Sequence, residues 1–390
     1  MTNMTNATKK RIALTGGAAA AEALRQINPD VMAVYPITPQ TTIIEAYAKL
    51  AADGLVNTEV IQVESEHSAM SACIGASAAG ARSVTATSSQ GLLLMHEMLY
   101  IASGLRLPIL MVDSARAVSS PINIHGDHSD VMGVRDSGWI QIFSENAQEV
   151  YDNTVMGMKL AEKVSLPVMV IMDGFNTSHS VENLETADTK KVRKFIGEYR
   201  PEQTLLKTNQ PVTFGPLALQ NSYFEFKIDQ EKAMMSVADC YADITADFAE
   251  ISGRRYNFFE SYKLKDAEYI IVLAGSAAGT AKDVVDKLRQ NGKKVGLLKI
   301  NLFRPFPSAE IAEALKNAKS IAVLDRAQSI GTMPPFYMEI INSLNATKYK
   351  IQTASYIYGL GGRDIFAKDI EKVFMDLIKN KFSKEIKYIQ

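Results

Sequence analysis

Cysteine is scarce in this chain. Only Cys73 and Cys240 occur among its 390 residues, far apart and outside any CxxC pair. A disulfide framework, a zinc site and an iron–sulfur cluster each need several thiols at close spacing, so this chain alone cannot build one. So few cysteines are typical of a protein from a reducing compartment, and we expect a cytoplasmic location.

Long apolar runs and blocks of like charge are also missing. The longest apolar stretch, residues 91–112, is interrupted by His96, Glu97 and Arg106, and the N-terminal MTNMTNATKKR has no apolar core. These features argue against a membrane span and against a secretion signal. Because 42 Lys and Arg residues balance 43 Asp and Glu residues, the composition also argues against nucleic acid as a partner.

The pattern of apolar residues predicts an α/β protein. Between residues 16 and 174, helical and strand periodicities alternate, and segments such as PILMVD and PVMVIMD are continuous apolar runs. Such runs are typical of parallel strands covered by helices on both faces, so we predict a doubly wound, mostly parallel sheet. The alternation stops near residue 175 and resumes at Glu268, which predicts a second, smaller α/β domain.

We therefore divide the chain into three parts. The first domain covers residues 1–175 and extends to about 230, a connector covers 176–265 with a helix near 230–251, and the second domain covers 266–390. The connector lacks regular alternation, and we expect its aromatic residues to find partners on this chain or on another one. They are Tyr223, Phe224, Phe226, Phe258 and Phe259.

A carboxylate lies where a predicted strand gives way to a helix. The β-branched run at 60–63 ends at Glu64-Ser65-Glu66, and small residues follow. Ligands of α/β proteins bind at the carboxyl ends of parallel strands, and small residues let a flat cofactor approach closely. Glu66 is therefore the first candidate for a catalytic residue, with Glu64 as the neighbouring alternative.

Further candidates follow other predicted strands at the same edge. Thr38 lies between two prolines in YPITP, where we expect it to cap the next helix, with Pro39 at the first helical position, and to hold its hydroxyl in place. Arg116 is either tied to a structural carboxylate or free for an anionic ligand. Parallel strands end at one edge, so one pocket can contain all the candidates. They are Thr38, Glu66, Ser88, Ser89, Gln90 and Arg116.

Two other motifs have ordinary structural explanations. His125 and His128 lie in an irregular loop without the spacing of helical metal ligands, so we expect them to shape a polar pocket, and we predict no metal ligand on this chain. The stretch from Gly275 to Gly279 lacks the full GxGxxG pattern, which favours a tight turn over a dinucleotide site. The same turn could form a nest for an acidic group of a partner or effector.

Several motifs together resemble a known family. They are YPITPQT, VESEHSAMSACIGASAAGARSVTATSSQGLLLMHE, DSARAVSSPINIHGDHSD, DGFNTSH, LLKINLFRPFP and LDRAQSIG. Over nearly its whole length the chain resembles the α subunits of pyruvate:ferredoxin oxidoreductases (pyruvate synthases), which are thiamine-diphosphate-dependent 2-oxoacid:ferredoxin oxidoreductases. The resemblance implies a pyrimidine-type domain that binds thiamine diphosphate, followed by a domain like the transketolase C-terminal domain.

The resemblance also implies roles for the candidate residues. Glu66 is the glutamate hydrogen-bonded to N1′ of the cofactor's aminopyrimidine, while Thr38 and Arg116 meet the carboxylate and carbonyl end of the substrate. Ser89 and Gln90 line the cofactor site. The implied reaction of anaerobic metabolism is the oxidative decarboxylation of pyruvate with coenzyme A to acetyl-CoA and CO₂. Pyruvate is preferred to a branched-chain 2-oxoacid on the motifs HGDHSD and DGFNTSH.

Partner chains follow from the same resemblance. The sequence has no GDG with a downstream Asn pair to hold Mg²⁺ and the diphosphate. We therefore expect the cofactor and Mg²⁺ to be shared with a partner subunit, and [4Fe–4S] clusters on β-, γ- and δ-type subunits to carry electrons to ferredoxin. Two hypotheses from other classes are a non-catalytic interaction subunit, which intact Thr38, Glu66 and Arg116 disfavour, and a free-standing nucleotide-dependent dehydrogenase, which requires a complete phosphate loop.

Overall fold

The computed structural model describes residues 10–383 and 385–390, which form two large sheets, one antiparallel pair and the helices that cover them. The strands are β1 (Lys10–Thr15), β2 (Val31–Val34), β3 (Glu59–Gln62), β4 (Ser83–Thr87), β5 (Ile109–Ala115), β6 (Ile140–Phe143), β7 (Val168–Asp173), β8 (Val181–Thr186), β9 (Phe259–Tyr262), β10 (Tyr269–Leu273), β11 (Val295–Ile300), β12 (Leu302–Arg304), β13 (Ser320–Asp325), β14 (Gln352–Ile357) and β15 (Lys387–Tyr388). The helices are α1 (Gly16–Ile27), α2 (Thr41–Ala52), α3 (Glu66–Ala78), α4 (Ser89–Leu94), α5 (His96–Gly104), α6 (Ser129–Gly133), α7 (Ala147–Val164), α8 (Thr189–Ile196), α9 (Tyr223–Met235), α10 (Val237–Ser252), α11 (Ala277–Gln290), α12 (Ser308–Leu315), α13 (Pro335–Asn345) and α14 (Ala367–Ile378), with a 3₁₀ turn at Leu360–Gly362.

The first sheet has seven strands in the order β12-β6-β7-β5-β4-β2-β3. Its neighbours are parallel except the edge strand β12, which runs antiparallel to β6. Every residue of β4, β5, β6 and β7 is buried, because helices cover both faces of the sheet. The doubly wound parallel sheet predicted from apolar runs is therefore confirmed. The strand order reverses between β2 and β4, which is where such sheets bind ligands.

The second sheet has six strands in the order β15-β14-β13-β10-β11-β9. Its strands are parallel except β9, which is antiparallel to β11. Helices α11 and α14 pack together on one face, where their apolar side chains form a buried cluster with the strands. Helices α12 and α13 pack together and add their apolar side chains to the cluster on the other face. This sheet confirms the second, smaller α/β domain.

One apolar cluster joins the two sheets. It contains buried side chains of both domains. At its centre, the ring centroids of Phe303 and Phe336 are 4.9 Å apart, and that of Phe143 is 5.6 Å from Phe336. Phe143 is the last residue of β6, and Phe303 lies in β12, the strand of the first sheet that follows β11 of the second sheet in the chain. The chain segment that links the sheets therefore also contributes a ring to this shared core.

A buried polar contact joins the domains at the carboxyl edges of their sheets. Asp173, the last residue of β7, accepts hydrogen bonds from the Nη1 of Arg326 at 2.8 Å and from the backbone N–H of Ser276 at 2.8 Å. Arg326 directly follows β13, and Ser276 precedes α11. His128 Nε2 lies 2.6 Å from the other Asp173 oxygen. The strand ends that carry ligand sites in α/β folds therefore face one another across the domain boundary.

The chain turns differently from expectation at two points. Thr38 does not cap the next helix, so this prediction is wrong: α2 begins at Thr41 and its N-cap position is Gln40. The apolar run KVGLLKINLF, whose pattern by itself predicts one strand, breaks at Asn301 into β11 and β12. The backbone N–H groups of Asn301 and Leu302 both donate to Phe258 O, at 2.9 and 2.8 Å, and the chain passes there from the second sheet to the first.

The stretch predicted as a connector contributes to both domains. Strand β8 pairs with β1, α10 packs on α7, and β9 joins the second sheet. Phe258 stacks on Tyr241, and Phe259 lies in β9. Tyr223, Phe224 and Phe226 lie in α9, which has no buried residue, and stay more than half exposed. Across the described part of the chain, helices that combine the length and the apolarity for crossing a membrane are lacking.

Candidate active site

Glu66 begins α3, and three residues separate it from Gln62, the last residue of β3. The side chain of Ser65 caps the helix by accepting the backbone N–H of Ser68 at 3.2 Å, so the chain enters α3 in an extended conformation. Glu66 is 6% exposed, and burial raises the pKa of its carboxyl above the ordinary value, although a hydrogen bond from its own backbone N–H lowers it in part. Its side chain forms no hydrogen bond with another described residue. This carboxyl is therefore free to bind a group from outside the chain.

Glu64 lies in different surroundings. Its carboxylate is exposed and accepts a hydrogen bond from the Ser68 hydroxyl. That bond is the main cause that lowers the pKa of Glu64. The two neighbouring glutamates thus differ chemically: Glu64 is an ionised surface group with a local partner, and Glu66 is a buried carboxyl whose proton is held more tightly.

The missing side chain at Gly91 lets the start of α4 pack directly against Glu66. A Cβ at position 91 would lie 2.6 Å from Glu66 Oε1 and 2.6 Å from Thr87 Oγ1, which is too close for any residue but glycine. Thr87 Oγ1 is buried and has no hydrogen-bond partner, and the same is true of Gln90 Nε2. Thr87 at the end of β4 thus presents a polar atom without a partner next to the Glu66 carboxyl, and Gln90 at the start of α4 carries another unpartnered polar atom.

Ser89 is committed to other contacts. It is fully buried with a φ of 50°, and its backbone N–H donates to Asp130 Oδ2 at 2.7 Å. Its hydroxyl lies 2.5 Å from Ala117 O and 2.6 Å from Gln90 Oε1, and it can donate to only one of them. Of the two residues predicted to line the cofactor site, Ser89 thus fixes the turn, whereas Gln90 keeps an amide nitrogen without a partner.

Arg116 and Thr38 are brought together although 78 residues separate them. The Arg116 Nη1 donates to the backbone carbonyl of Thr38, and its Nε donates to that of Asn123, both at 2.8 Å. The guanidinium forms no ion pair among the described residues, so of the two alternatives left open by the sequence, a structural carboxylate partner is not what holds it. The Thr38 side chain is exposed, and its hydroxyl has no hydrogen-bond partner in the described chain.

Sequence reasoning missed Asp130, which links these groups. One of its carboxylate oxygens, Oδ2, accepts the backbone N–H of Ser89 at 2.7 Å and that of Arg116 at 2.9 Å. Burial raises the pKa of Asp130 to about 7 even though three backbone N–H groups lower it. The acidic residues of the HGDHSD loop, which follows a candidate strand end, were the available signal for such a role. Through Asp130, the strand ends that carry Thr38, Arg116 and Ser89 form one connected site beside Glu66.

Comparisons with known proteins decide the family. The family model described as "Pyruvate flavodoxin/ferredoxin oxidoreductase, thiamine diP-bdg" matches residues 22–245, and the one described as "Pyruvate:ferredoxin oxidoreductase core domain II" matches residues 267–370. The pyruvate synthase subunit PorA of Thermotoga maritima is 52% identical over 97% of this chain and 98% of its own length. The chain belongs to the pyruvate:ferredoxin oxidoreductase family.

Other members and a solved structure agree with this assignment. The ketoisovalerate oxidoreductase subunit VorA of Pyrococcus horikoshii is 42% identical over 96% of both chains. The solved 2-oxoglutarate:ferredoxin oxidoreductase from Magnetococcus marinus, with 2-oxoglutarate, coenzyme A and succinyl-CoA bound, has a TM-score of 0.76 at 22% identity and shares the fold. It covers 95% of this chain, which spans 66% of that chain. The resemblance to pyruvate:ferredoxin oxidoreductase α subunits is confirmed.

The residues around Glu66 fit the thiamine diphosphate that the matched first domain binds. The aminopyrimidine of that cofactor presents ring nitrogens and an amino group, which need a carboxyl and hydrogen-bonding side chains. Glu66 provides the carboxyl, and Thr87 Oγ1 and Gln90 Nε2 are buried atoms that still lack partners. Glycine at position 91 lets the start of α4 pack directly against the Glu66 carboxyl and Thr87 Oγ1.

The motifs set aside by sequence reasoning serve the fold of this family member. The turn at Gly275 does receive an acidic group, but that group is Asp173 of the same chain, since the backbone N–H of Ser276 donates to it. His128 is engaged by Asp173 as well. In the described residues, the side chains close enough to share a cation are Glu145, Glu149 and Glu260, and the Lys299 ammonium forms ion pairs with all three.

Proposed function

We propose that this chain is the α-type subunit of a pyruvate synthase. The proposed reaction is the oxidative decarboxylation of pyruvate with coenzyme A to acetyl-CoA and CO₂, with electrons passed to ferredoxin. The observation that carries the proposal is the buried Glu66 carboxyl, which packs against Gly91 and has no hydrogen-bond partner on another described residue, in a chain 52% identical to a pyruvate synthase subunit.

Glu66 is the proposed catalytic carboxyl. When bound, thiamine diphosphate supplies the carbanion chemistry that cleaves a 2-oxoacid. The part of Glu66 is to hold a proton at its carboxyl and share it with N1′ of the aminopyrimidine. Burial supports this role, because it raises the pKa of the carboxyl and strengthens a hydrogen bond to a ring nitrogen. Gln90 is the proposed neighbour that contacts the cofactor through its amide nitrogen, while Ser89 holds the turn in place.

Arg116 and Thr38 are the proposed binding groups for the substrate. Two of the guanidinium nitrogens of Arg116 donate to backbone carbonyls, which orients the group while leaving its charge without a carboxylate partner. A 2-oxoacid brings such a carboxylate. The backbone carbonyl of Thr38 accepts a hydrogen bond from the same guanidinium, and the exposed Thr38 hydroxyl is the proposed contact for the carbonyl end of the substrate.

Partner subunits complete the proposed site. Cys73 and Cys240 are free thiols, and two thiols cannot ligate a [4Fe–4S] cluster. We therefore assign the clusters, and the residues that hold Mg²⁺ and the diphosphate, to β-, γ- and δ-type partners. The free thiols also agree with a cytoplasmic location.

The decisive experiment measures thiamine-diphosphate-dependent decarboxylation and ferredoxin reduction with the purified chain alone and with its co-purifying partners. We expect turnover only in the complex, and we expect the isolated chain not to retain the cofactor. Binding of thiamine diphosphate and Mg²⁺ to the isolated chain at micromolar affinity, seen by calorimetry, would contradict this.

A branched-chain 2-oxoacid is the second candidate substrate, because ketoisovalerate oxidoreductase subunits are also similar to this chain, at 42% identity. Both substrates present the same carboxylate to Arg116, so that contact cannot distinguish them. The kcat/KM of the complex for pyruvate and for 2-oxoisovalerate decides between them. A preference for 2-oxoisovalerate would overturn the substrate but not the reaction class.

A further inference from the structure

The orientation of the Arg116 guanidinium depends on a loop that buries few apolar side chains. Residues 116–128 form the loop that connects β5 to α6, and Ile122 and Ile124 in this loop are 80% and 44% exposed. Because these side chains bury little apolar surface, the loop is held mainly by hydrogen bonds. The Arg116 Nε donates to the backbone carbonyl of Asn123, so the position of that peptide determines where the guanidinium points.

Two hydrogen bonds to Gly361 of the second domain hold this loop. The Asn123 Nδ2 donates to Gly361 O at 3.0 Å, and the backbone N–H of Gly361 donates to Asp127 Oδ2 at 3.0 Å. The other end of the Asn123 amide accepts the backbone N–H of His125 at 2.7 Å. Asn123 thus uses both ends of its side chain, one toward its own loop and one toward the second domain.

Glycine at position 361 keeps the two segments in contact. Gly361 has a φ of 58°, and a Cβ there would lie 2.5 Å from Asn123 Nδ2. A side chain at this position would both strain the backbone and push the asparagine away. The contact therefore requires an amide on the first domain and a glycine in the left-handed region on the second.

We propose that Asn123 is a positioning residue, through which the 359–362 loop of the second domain orients Arg116 toward the carboxylate of the 2-oxoacid. This inference rests on the proposed function, because it takes Arg116 as the group that binds the carboxylate. It gives the second domain a part in substrate binding although no residue of that domain need touch the substrate.

Kinetics of the reconstituted complex test the inference. Asn123→Ala and Gly361→Ala break the hydrogen-bonded contact from its two sides. Lys282→Met is the matched control, since it removes another contact between the domains, the ion pair of Lys282 with Glu145 at 2.8 Å. We expect kcat/KM for the 2-oxoacid to fall about three- to tenfold in the first two variants, as for a lost hydrogen bond. The KM for coenzyme A should not change, and Lys282→Met should match the wild type.

A double-mutant cycle shows whether the effect passes through Arg116. In an Arg116→Ala background, Asn123→Ala should change kcat/KM by less than about twofold, because the group it positions is gone. A full additional fall in that background would overturn the proposal, and so would wild-type kcat/KM in the single variants.

Hydrogen exchange in the complex supplies a readout that needs no turnover. The amides of Ala117 and Val118 are bonded to His125 O within the loop and to Ser129 Oγ at the start of α6. They should exchange faster in Asn123→Ala and Gly361→Ala than in the wild type or Lys282→Met. Unchanged exchange would overturn the positioning role. A wild-type complex that fails to turn over any 2-oxoacid would instead overturn the proposed function, with this measurement still deciding whether the second domain holds the loop.

Discussion

Asp173→Asn should lower the free energy of unfolding more than the same substitution of an exposed aspartate does. Asp173 is 1% exposed and accepts hydrogen bonds from Arg326 Nη1 at 2.8 Å, His128 Nε2 at 2.6 Å, and the backbone N–H and hydroxyl of Ser276 at 2.8 and 2.5 Å. An asparagine has the same shape, but it removes the charge that faces the guanidinium of Arg326. Arg326 is itself only 4% exposed, so its guanidinium would remain buried without its counter-ion.

The expected loss follows from that uncompensated charge. Removing one partner of a buried ion pair costs about 3–5 kcal/mol of unfolding free energy. Two bonds from Arg326 to other acceptors, Asn176 Oδ1 at 2.9 Å and Gly359 O at 3.3 Å, remain in the variant and favour the lower end of this range. Ser276→Ala should cost less, about 1–3 kcal/mol, because it removes one hydroxyl donor and no charge.

The effect should also depend on pH. Burial by itself would raise the pKa of Asp173, but Arg326 and His128 outweigh it and hold the pKa well below its ordinary value. As the pH falls, the unfolded chain therefore takes up this proton before the folded chain does. The difference in unfolding free energy between wild type and Asp173→Asn should be complete near neutral pH and should shrink below about pH 4.

Urea unfolding followed by fluorescence of the single tryptophan, Trp139, and by far-UV circular dichroism measures the loss. Trp139 is 1% exposed and lies in the cluster shared by both domains, so it reports loosening of their contact. The control is Asp229→Asn, which breaks an exposed ion pair with Lys232 and should cost less than about 1 kcal/mol. If Asp173→Asn shifts the midpoint no more than this control does, the buried contact does not stabilise the domains as argued.

Three further results are expected. Glu66→Gln should abolish cofactor activation in the complex, because the amide cannot share a proton with N1′. C2–H/D exchange of the bound cofactor, followed by NMR, should be lost in Glu66→Gln and should match the wild type in Glu64→Gln; the opposite pattern would move the role to Glu64. Arg116→Ala should lower kcat/KM about ten- to a hundredfold, equivalent to about 1.5–3 kcal/mol, and equally for pyruvate and 2-oxoisovalerate, and unequal losses would contradict a role limited to the carboxylate. Asp113 has two buried carboxylate oxygens without hydrogen-bond partners, and burial, reinforced by Asp130, raises its pKa well above the ordinary value. The folded chain therefore keeps a proton that the unfolded chain loses as the pH rises, and Asp113→Asn should become more stable relative to the wild type between pH 4 and pH 8 in urea titrations. A variant less stable than the wild type by more than about 2 kcal/mol at pH 8 would refute this.

Local sequence patterns were enough to predict the parallel sheets and the sheet edge at which the candidate site residues lie. A strand buried on both faces must be apolar throughout, so β5 and β7 are recognisable from composition alone. The ends of such strands mark the ligand edge, and Glu66 and Arg116 follow strand ends directly enough to be found there. These features depend on residues adjacent in the chain, and for that reason a single sequence reveals them.

The other features of the site depend on contacts between residues that are distant in the sequence. Sequence patterns could not separate Glu64 from Glu66, because the difference is burial, which depends on the segment around Gly91 packing against one of them. The acidic group that the turn at Gly275 binds is Asp173, about a hundred residues earlier in the chain, and nothing near either residue indicates the pairing. Asn123 carries no recognisable motif, since its role arises only when the second domain folds over its loop. Hydrogen bonds and burial of this kind are set by which surfaces meet, and only the tertiary structure determines that.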